Sequence, residues 1–394
     1  MHRGTASVEK GLKQSKVAIG GKNMPSVKLI PAPKIVYPGA RVPEVNDKSQ
    51  TDCHSPGFWD SEEQRLYIFN SWELPWRTSG TSLYDLGPSE PVTLDVLQNG
   101  GEWLEGIWKV PNGKLYGWYH LEPDGLQKPG DYYGSTKVQQ EKTETLRTMS
   151  IPPGSKFFER YPTKPKIGAL VSEDKGKTWK DLGFVLSAPE ELVSTTSSDA
   201  WYFGGEGDFG TCVDKEEEFV YFFITTFYGG KENQGLGFAR MSLRDLGQPV
   251  GKVWKWRDGA WQEPGIGGYA QPVIPVFEDW HSKQANAFWG PVVHWNTWLN
   301  TYVMFLNRVN DGTWNMEGYY VSFNPDISNP LGWSEPVKVL DGEEARQATA
   351  PDGSMTGWYV SIFPAEDYDN DNRIGRRARL FATGTSLWEI EFEK

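Results

Sequence analysis

The stretch WLEGIWKVPNGKLYGWYHLEP, residues 103–123, contains two aromatic runs separated by a turn rich in Pro, Asn and Gly. Aromatic and β-branched residues favour strands, whereas Asn and Gly favour the turns between them. The same theme recurs along the chain, in runs at 65–72, 114–121, 167–174, 219–228, 301–309, 357–363 and 386–392. Short alternating runs with turn signals about every 8–12 residues are typical of an all-β sandwich, barrel or propeller.

A longer period favours the propeller. Aromatic strands centred near 68, 117, 223, 304 and 360 indicate about five units of several strands each, the size of a propeller blade. Helical signals are weak, since 133–150 has no apolar stripe and 188–194 allows one or two turns at most. We therefore predict an all-β chain with a single five-bladed β-propeller over residues 35–394, preceded by a polar tail or arm over 1–34.

Composition and charge exclude some classes of function. The 394 residues carry a formal net charge of −12, and such an acidic surface repels phosphate backbones, so we expect no nucleic-acid partner. No apolar run approaches the roughly 18 residues of a membrane span, which predicts a soluble protein without a membrane partner. No N-terminal apolar region is visible, so the sequence leaves open a cytoplasmic protein or a periplasmic or secreted one whose signal peptide was removed.

The segment SEDKGKTW, residues 172–179, fits the Ser-x-Asp-x-Gly-x-Thr-Trp pattern of the Asp-box hairpin in sialidase-like propellers. An Asp in such a turn bonds backbone amides, and Gly supplies a positive φ. We predict that Asp174 and Gly176 shape the turn and that Trp179 packs between blades. Asp174 is therefore expected to be structural.

Propellers bind ligands at one end of the central channel, where the first strand of each blade delivers its side chains. Polar residues near the start of each unit are therefore the candidates for a site. They come from TDCHSPGFWD (51–60), EWLEGIWK (102–109), WYFGGEGDFGTCVD (201–214), NAFWGPVVHWN (286–296) and WRTSG (76–80).

Three acids in aromatic or glycine-rich surroundings suit cleavage of a glycosidic bond. One carboxyl must protonate the leaving oxygen, which requires apolar neighbours that raise its pKa, and a second must stay ionised. We predict Asp52, Glu105 and Asp208 as catalytic residues, with Trp103 and Trp108 around Glu105. The predicted substrate-binding residues are His54, Arg77, Trp103, Glu206, Trp289 and His294.

Each of these residues also has a structural interpretation. Asp52 could cap a turn, Glu105 could pair with an arginine such as Arg77, and Asp208 could be a turn residue or a calcium ligand. The histidines could be ordinary hydrogen-bonded side chains. The histidines show no tight zinc-ligand spacing. Cys53 and Cys212 show no metal-ligand spacing either, so these two cysteines form one disulfide or remain two free buried thiols.

The stretch WLEGIWKVPNGKLYGWY resembles the Trp-x-Glu-Gly-Pro segment of five-bladed propeller glycosidases, notably glycoside hydrolase family 43 and its relatives. The resemblance implies that Glu105 is the general acid, Asp52 the base and Asp208 a third acid that tunes the pKa and orients the substrate. Ile107 stands where the family has Pro. No cofactor is implied as required; calcium is common in those families, although no calcium-loop spacing is present.

Residues 35–394 also look like sialidase-like and glycosyl-hydrolase-like bacterial propellers. The leading hypothesis is a glycoside hydrolase that acts on a terminal sugar or a short oligosaccharide. The alternatives are a polysaccharide lyase that uses a His/Tyr/Arg set, and a carbohydrate-binding propeller without catalysis. The lyase set would be His54, His294, Tyr119 and Arg77. A sialidase would need a clamp of three arginines, for which the sequence offers Arg77, Arg240, Arg308 and Arg377.

Overall fold

The computed structural model describes residues 25–36, 40–41, 49–72, 74–95, 100–123, 165–192, 204–313, 315–348, 357–365 and 370–394. These residues form strands almost throughout. In chain order the strands are β1 (Ser26–Val36), β2 (Ala40–Arg41), β3 (Ser49–Gln50), β4 (Gly57–Asp60), β5 (Arg65–Trp72), β6 (Leu74–Gly80), β7 (Glu90–Pro91), β8 (Thr93–Asp95), β9 (Gly100–Lys109), β10 (Leu115–Pro123), β11 (Lys166–Ser172), β12 (Thr178–Ser187), β13 (Glu206–Val213), β14 (Phe219–Thr226), β15 (Gly235–Ser242), β16 (Trp254–Arg257), β17 (Ala260–Pro264), β18 (Ile274–Pro275), β19 (Ala287–Asn296), β20 (Thr301–Val309), β21 (Met316–Asn324), β22 (Val337–Asp341), β23 (Val360–Pro364), β24 (Arg373–Ile374), β25 (Arg377–Ala382) and β26 (Thr385–Glu393).

Helices in the described ranges are short. They are one α-turn, Gly342–Ala345, and the 3₁₀ turns Glu190–Leu192, Lys231–Asn233, Leu243–Asp245 and Pro330–Gly332. The predicted turn near 188–194 thus contains one 3₁₀ turn, whereas 133–150 lies outside the described residues. No helix in the part of the chain that the structure describes is long and apolar enough to cross a membrane.

The strands form five blades in chain order. Their strand orders are β4-β5-β6-β7, β9-β10-β11-β12-β8, β13-β14-β15-β16-β17 with β18 on β15, β24-β19-β20-β21-β22, and β23-β25-β26-β1. The first strands, β4, β9, β13, β19 and β23, contact one another in sequence, and Gly57 of β4 lies against Phe363 of β23. This closed ring of first strands confirms the prediction of an all-β, five-bladed propeller.

The ring closes through its terminal strands. β1 pairs antiparallel with β26, from Ser26 opposite Glu393 to Val36 opposite Thr385. The propeller therefore begins near Ser26 rather than at the predicted residue 35. Two prolines in its sequence concealed this strand: β1 is the outer strand of its blade, and only part of it is buried.

Apolar side chains fill the spaces between neighbouring blades. Five clusters of buried residues lie between blades 1 and 2, 2 and 3, 3 and 4, 4 and 5, and 5 and 1. The aromatic runs at 65–72, 115–123, 219–226 and 301–309 are second strands, which contribute to these clusters. The abundance of Trp, Phe and Tyr is thus explained first by packing between blades.

The turn at 172–178 has the contacts that its sequence predicts. Asp174 accepts hydrogen bonds from the amides of Lys177 and Thr178 and from the Thr178 hydroxyl. Gly176 has φ +77°, and Trp179 is buried against Phe69 of the neighbouring blade. Asp174 therefore organises a turn between β11 and β12.

Candidate active site

Three first strands carry a β-bulge in their pairing with the second strand. In β9 the register passes from Leu104 opposite Tyr119 to Gly106 opposite Trp118, which leaves Glu105 as the extra residue. In β13 the bulge includes Asp208, whose φ is +41°. In β19 it lies between Trp289 and Val292. A bulge bends its strand and redirects a side chain, and bulges often lie beside active sites.

The bulge brings Glu105 against a histidine of the next strand. Glu105 Oε1 contacts His120 Nδ1, and Nε2 of the same ring lies 3.7 Å from Glu122 Oε1. The indole of Trp103 stacks on the imidazole, with ring centroids 4.7 Å apart and planes inclined by 15°. Glu105 is therefore paired with a histidine, and not with Arg77.

Burial controls the protonation of this pair. Burial raises the pKa of Glu105, while His120 and His54 oppose the rise and Glu122 adds to it. The two carboxylates raise the pKa of His120 well above its usual value, against the opposing effect of burial. Burial thus favours the protonated form of Glu105, whereas the neighbouring imidazole favours the carboxylate.

Asp52 and Glu105 both act on the buried thiol of Cys53. Burial, then the charge of Glu105, then that of Asp52 raise the pKa of Cys53. Asp52 is half-buried, and its amide donates to Ser71 O at 2.8 Å. The thiol of Cys53 therefore lies within electrostatic reach of both predicted acids.

His54 is buried just before β4, at the start of blade 1. Its Nδ1 is 3.3 Å from Val360 O, and its Nε2 is 3.4 Å from Asp371 Oδ2. The segment around Asp371 joins three first strands: Asn370 bridges β4, the Asn372 side chain accepts from the amide of Val213, and β24 pairs with β19. This segment therefore connects the first strands of blades 1, 3 and 4 beside His54.

Asp208 lies on β13, the strand beside β9. A Cβ added at Gly106 of β9 would lie 2.4 Å from the Thr211 hydroxyl of β13, so glycine allows this approach. Asp208 is 5% exposed, and its carbonyl accepts a hydrogen bond from the Thr225 hydroxyl. Its placement next to the Glu105 strand agrees with a supporting role, which stays a prediction.

Glu206 is part of a fully buried ion pair. Its Oε1 lies 2.5 Å from Lys255 Nζ, which also donates to the carbonyls of Ser187 and Gly268. Burial raises the pKa of Glu206, and Lys255 opposes that rise. These contacts join blades 2 and 3 and favour an anchoring role for Glu206 over substrate binding.

Three other predicted binding residues lie away from Glu105. Arg77, on the third strand of blade 1, donates to Lys175 O and pairs with Glu90. Trp289 is buried against Trp358 and Tyr359. His294 is fully buried between Phe305 and Phe392, and burial lowers its pKa to about 3. We therefore leave these residues out of the proposed site.

The residues of the alternative hypotheses are dispersed. Tyr119 is buried in blade 2, where its hydroxyl donates to Asp181, far from the setting that the lyase needs beside Arg77 and His294. Arg240, Arg308 and Arg377 lie on second or third strands, over aromatic rings or paired with Glu389. They do not converge on one carboxylate-binding point with Arg77.

Sequence reasoning missed His120, Glu122 and Asp371. A signal for the first two was present: residues 120 and 122 share one face of a strand, and the turn at 110–114 brings that face beside Trp103 and Glu105. Asp371 had no such signal, because its contact with His54 joins residues that lie far apart in the sequence. In the described ranges no group of three His, Cys, Asp or Glu residues could hold a metal ion. The chain's two cysteines are buried and unpaired.

A concave surface lies where β4 and β9 end. It has a volume of about 750 Å³ and is lined among others by Trp59, Asp60, Trp108, Lys109 and Lys175. Both lysines lie within 3.5 Å of the Asp60 carboxylate. Asp52 and Glu105 do not line this cavity.

No family model and no curated protein matches the sequence. Solved structures with a similar course of the chain include a protein of unknown function from Dyadobacter fermentans DSM 18053, with 10% identity, 91% of this chain and 83% of that chain covered, and a TM-score of 0.43. A thermostable family-43 glycoside hydrolase is 10% identical, with 88% of this chain and 91% of that chain covered and a TM-score of 0.44. The catalytic domain of the Coprinopsis cinerea GH62 α-L-arabinofuranosidase is 10% identical, with 91% of this chain and 95% of that chain covered and a TM-score of 0.45.

Proposed function

We propose that this chain is a glycoside hydrolase in which Glu105 protonates the departing glycosidic oxygen. The observation that carries the proposal is the bulge of β9, which holds a buried carboxyl against His120. A second carboxyl, Asp52, precedes Cys53, and the charges of both acids act on its thiol. Burial gives Glu105 the raised pKa that a general acid needs. The proposal rests on these side chains and not on the likeness of fold.

Asp52 is the complementary group. It is more exposed than Glu105, as a group that meets water or the anomeric carbon must be. It either removes a proton from the attacking water or itself bonds to the anomeric carbon; the first route inverts and the second retains the configuration. Asp208 on the adjacent strand supports the substrate or the two acids. The substrate is a carbohydrate, a terminal sugar or a short oligosaccharide at the channel mouth.

The proposal is tested by turnover on a panel of oligosaccharides, followed as release of reducing ends. We expect the parent protein to cleave at least one glycan. Glu105→Gln and Asp52→Asn should each lower kcat by about 10²–10⁴-fold while the circular dichroism spectrum stays unchanged. Glu173→Gln, an exposed change in the turn after β11, is the matched control and should keep full activity. The absence of turnover across the panel, or unsaturated products that absorb in the ultraviolet, would overturn the proposal.

A further inference from the structure

His120 lies between two carboxyl groups in a buried row. Glu105 contacts one ring nitrogen, and Glu122 Oε1 lies 3.7 Å from the other. Residues Glu105, His120 and Glu122 are 1%, 3% and 7% exposed. Trp103 stacks on the imidazole and thereby restricts its plane. The ring is therefore held in an orientation that serves both carboxyls.

We propose that Glu105, His120 and Glu122 bind protons as one buried unit, in which His120 favours release of the proton from Glu105 and Glu122 favours its retention. His120 and Glu122 are thus positioning residues that act through Glu105. The inference rests on the proposed function of Glu105 and adds the two residues that set its protonation.

The charge of the unit explains these opposite effects. With one proton, on the imidazole, two carboxylates and one cation leave a net charge of −1. A second proton, on Glu105, makes the unit neutral, and a buried site of low dielectric favours the neutral form. Without Glu122 the same second proton would make the unit cationic. Without His120 no cation would remain to stabilise the Glu105 carboxylate.

Among the residues that the structure describes, few other titratable groups face this unit. His54 and Cys53, from the segment before β4, also interact with Glu105, and Asp52 lies beside Cys53. On β11 the residue opposite His120 is the apolar Ile167. The other acid of β9, Glu102, is paired in register with Leu121. Two carboxylates therefore act on His120: Glu105 from β9, and Glu122 from β10, the strand that also carries His120.

The proton of the unit passes to the glycosidic oxygen as the bond between that oxygen and the anomeric carbon breaks, and the electron pair of the bond stays on the oxygen. The unit, then one proton poorer, regains a proton from solvent. The pH above which turnover falls should therefore report the second proton of the unit.

The test compares pH profiles of kcat/KM for the parent protein, Glu122→Gln and His120→Gln. We expect the alkaline limb to move to lower pH in Glu122→Gln and to higher pH in His120→Gln, each by about 1 pH unit or more. Glu122→Asp keeps the charge and should restore much of the parental profile, and Glu173→Gln should leave it unchanged. Unmoved limbs, or limbs that move in the same direction, would overturn the inference.

A second readout does not need turnover. The chain has five histidines, so the ¹⁵N imidazole signals of His120 can be assigned by their loss in His120→Gln. Its titration midpoint should lie well above 6.5 in the parent protein and fall in Glu122→Gln. An unchanged midpoint would refute the unit itself. A lowered midpoint in a protein that cleaves no glycan would instead support the unit and refute the proposed function.

Discussion

Glu206 Oε1 and Lys255 Nζ lie 2.5 Å apart, and neither side chain is exposed to solvent. Glu206 begins the first strand of blade 3, and Lys255 lies on its fourth strand. The lysine also donates to Ser187 O at the end of blade 2. One buried cation therefore holds together two strands of a blade and the edge of its neighbour.

Removal of this cation should destabilise the fold. Lys255→Met leaves the Glu206 carboxyl buried without its charge partner, which we expect to lower the free energy of unfolding by about 3–5 kcal/mol. Equilibrium urea denaturation measures the change. The double variant Lys255→Met/Glu206→Gln should recover part of the loss. Lys338→Met, which breaks a partly exposed pair with Glu317, should cost about 1 kcal/mol or less. Equal losses for Lys255→Met and Lys338→Met would contradict this account of Glu206.

The Asp174 turn should matter for stability and not for turnover. Asp174→Ala removes the acceptor for two backbone amides and the Thr178 hydroxyl, which should cost about 1–3 kcal/mol. Asp174→Asn, which keeps one side-chain oxygen, should cost less. Thermal unfolding and kcat/KM are measured on the same samples. A large fall in kcat/KM at a temperature where the variant is folded would show that the turn contributes to the site.

His294 should make stability depend on pH. Its pKa is about 3 in the folded protein and 6.5 in the unfolded chain, so below pH 6.5 the unfolded chain binds a proton that the folded protein does not. Its contribution to stability is therefore present above pH 6.5 and is lost as the pH falls towards 3. The loss should be about 2 kcal/mol at pH 5.

The matched variant is His294→Leu, which fills the same apolar space without a titrating ring. Urea denaturation at pH 7 and pH 5 should show a smaller difference between the two pH values in His294→Leu than in the parent protein. If the difference is the same in both proteins, His294 does not remain neutral in the folded state.

Much of the fold could be predicted because strand periodicity and turn residues are local signals. The runs at 65–72 and 301–309 coincide with β5 and β20. Strand β1 could not be predicted in this way, since its pairing with β26 connects the two ends of the chain. Arg77 lies on the third strand of its blade and not on the first. The local sequence does not specify which strand of a blade a residue occupies.

The candidate site was predictable in part for the same reason. Glu105 and Asp52 stood out as acids in apolar or proline-restricted surroundings, and the structure places both near Cys53. The role of His120 depends on a bulge one residue wide in β9, and a bulge has no sequence signature as strong as that of a turn. Glu206 looked like a site residue because the sequence could not show Lys255 opposite it.

The central claim, that Glu105 is the general acid, is tested most directly by the dependence of Glu105→Gln on the leaving group. A natural glycan leaves as a poor alkoxide and needs a proton, whereas a 2,4-dinitrophenyl glycoside of the same sugar leaves without one. The account predicts that Glu105→Gln loses about 10²–10⁴-fold in kcat/KM on the glycan and stays within about tenfold of the parent protein on the dinitrophenyl glycoside. Equal losses on both substrates would contradict it.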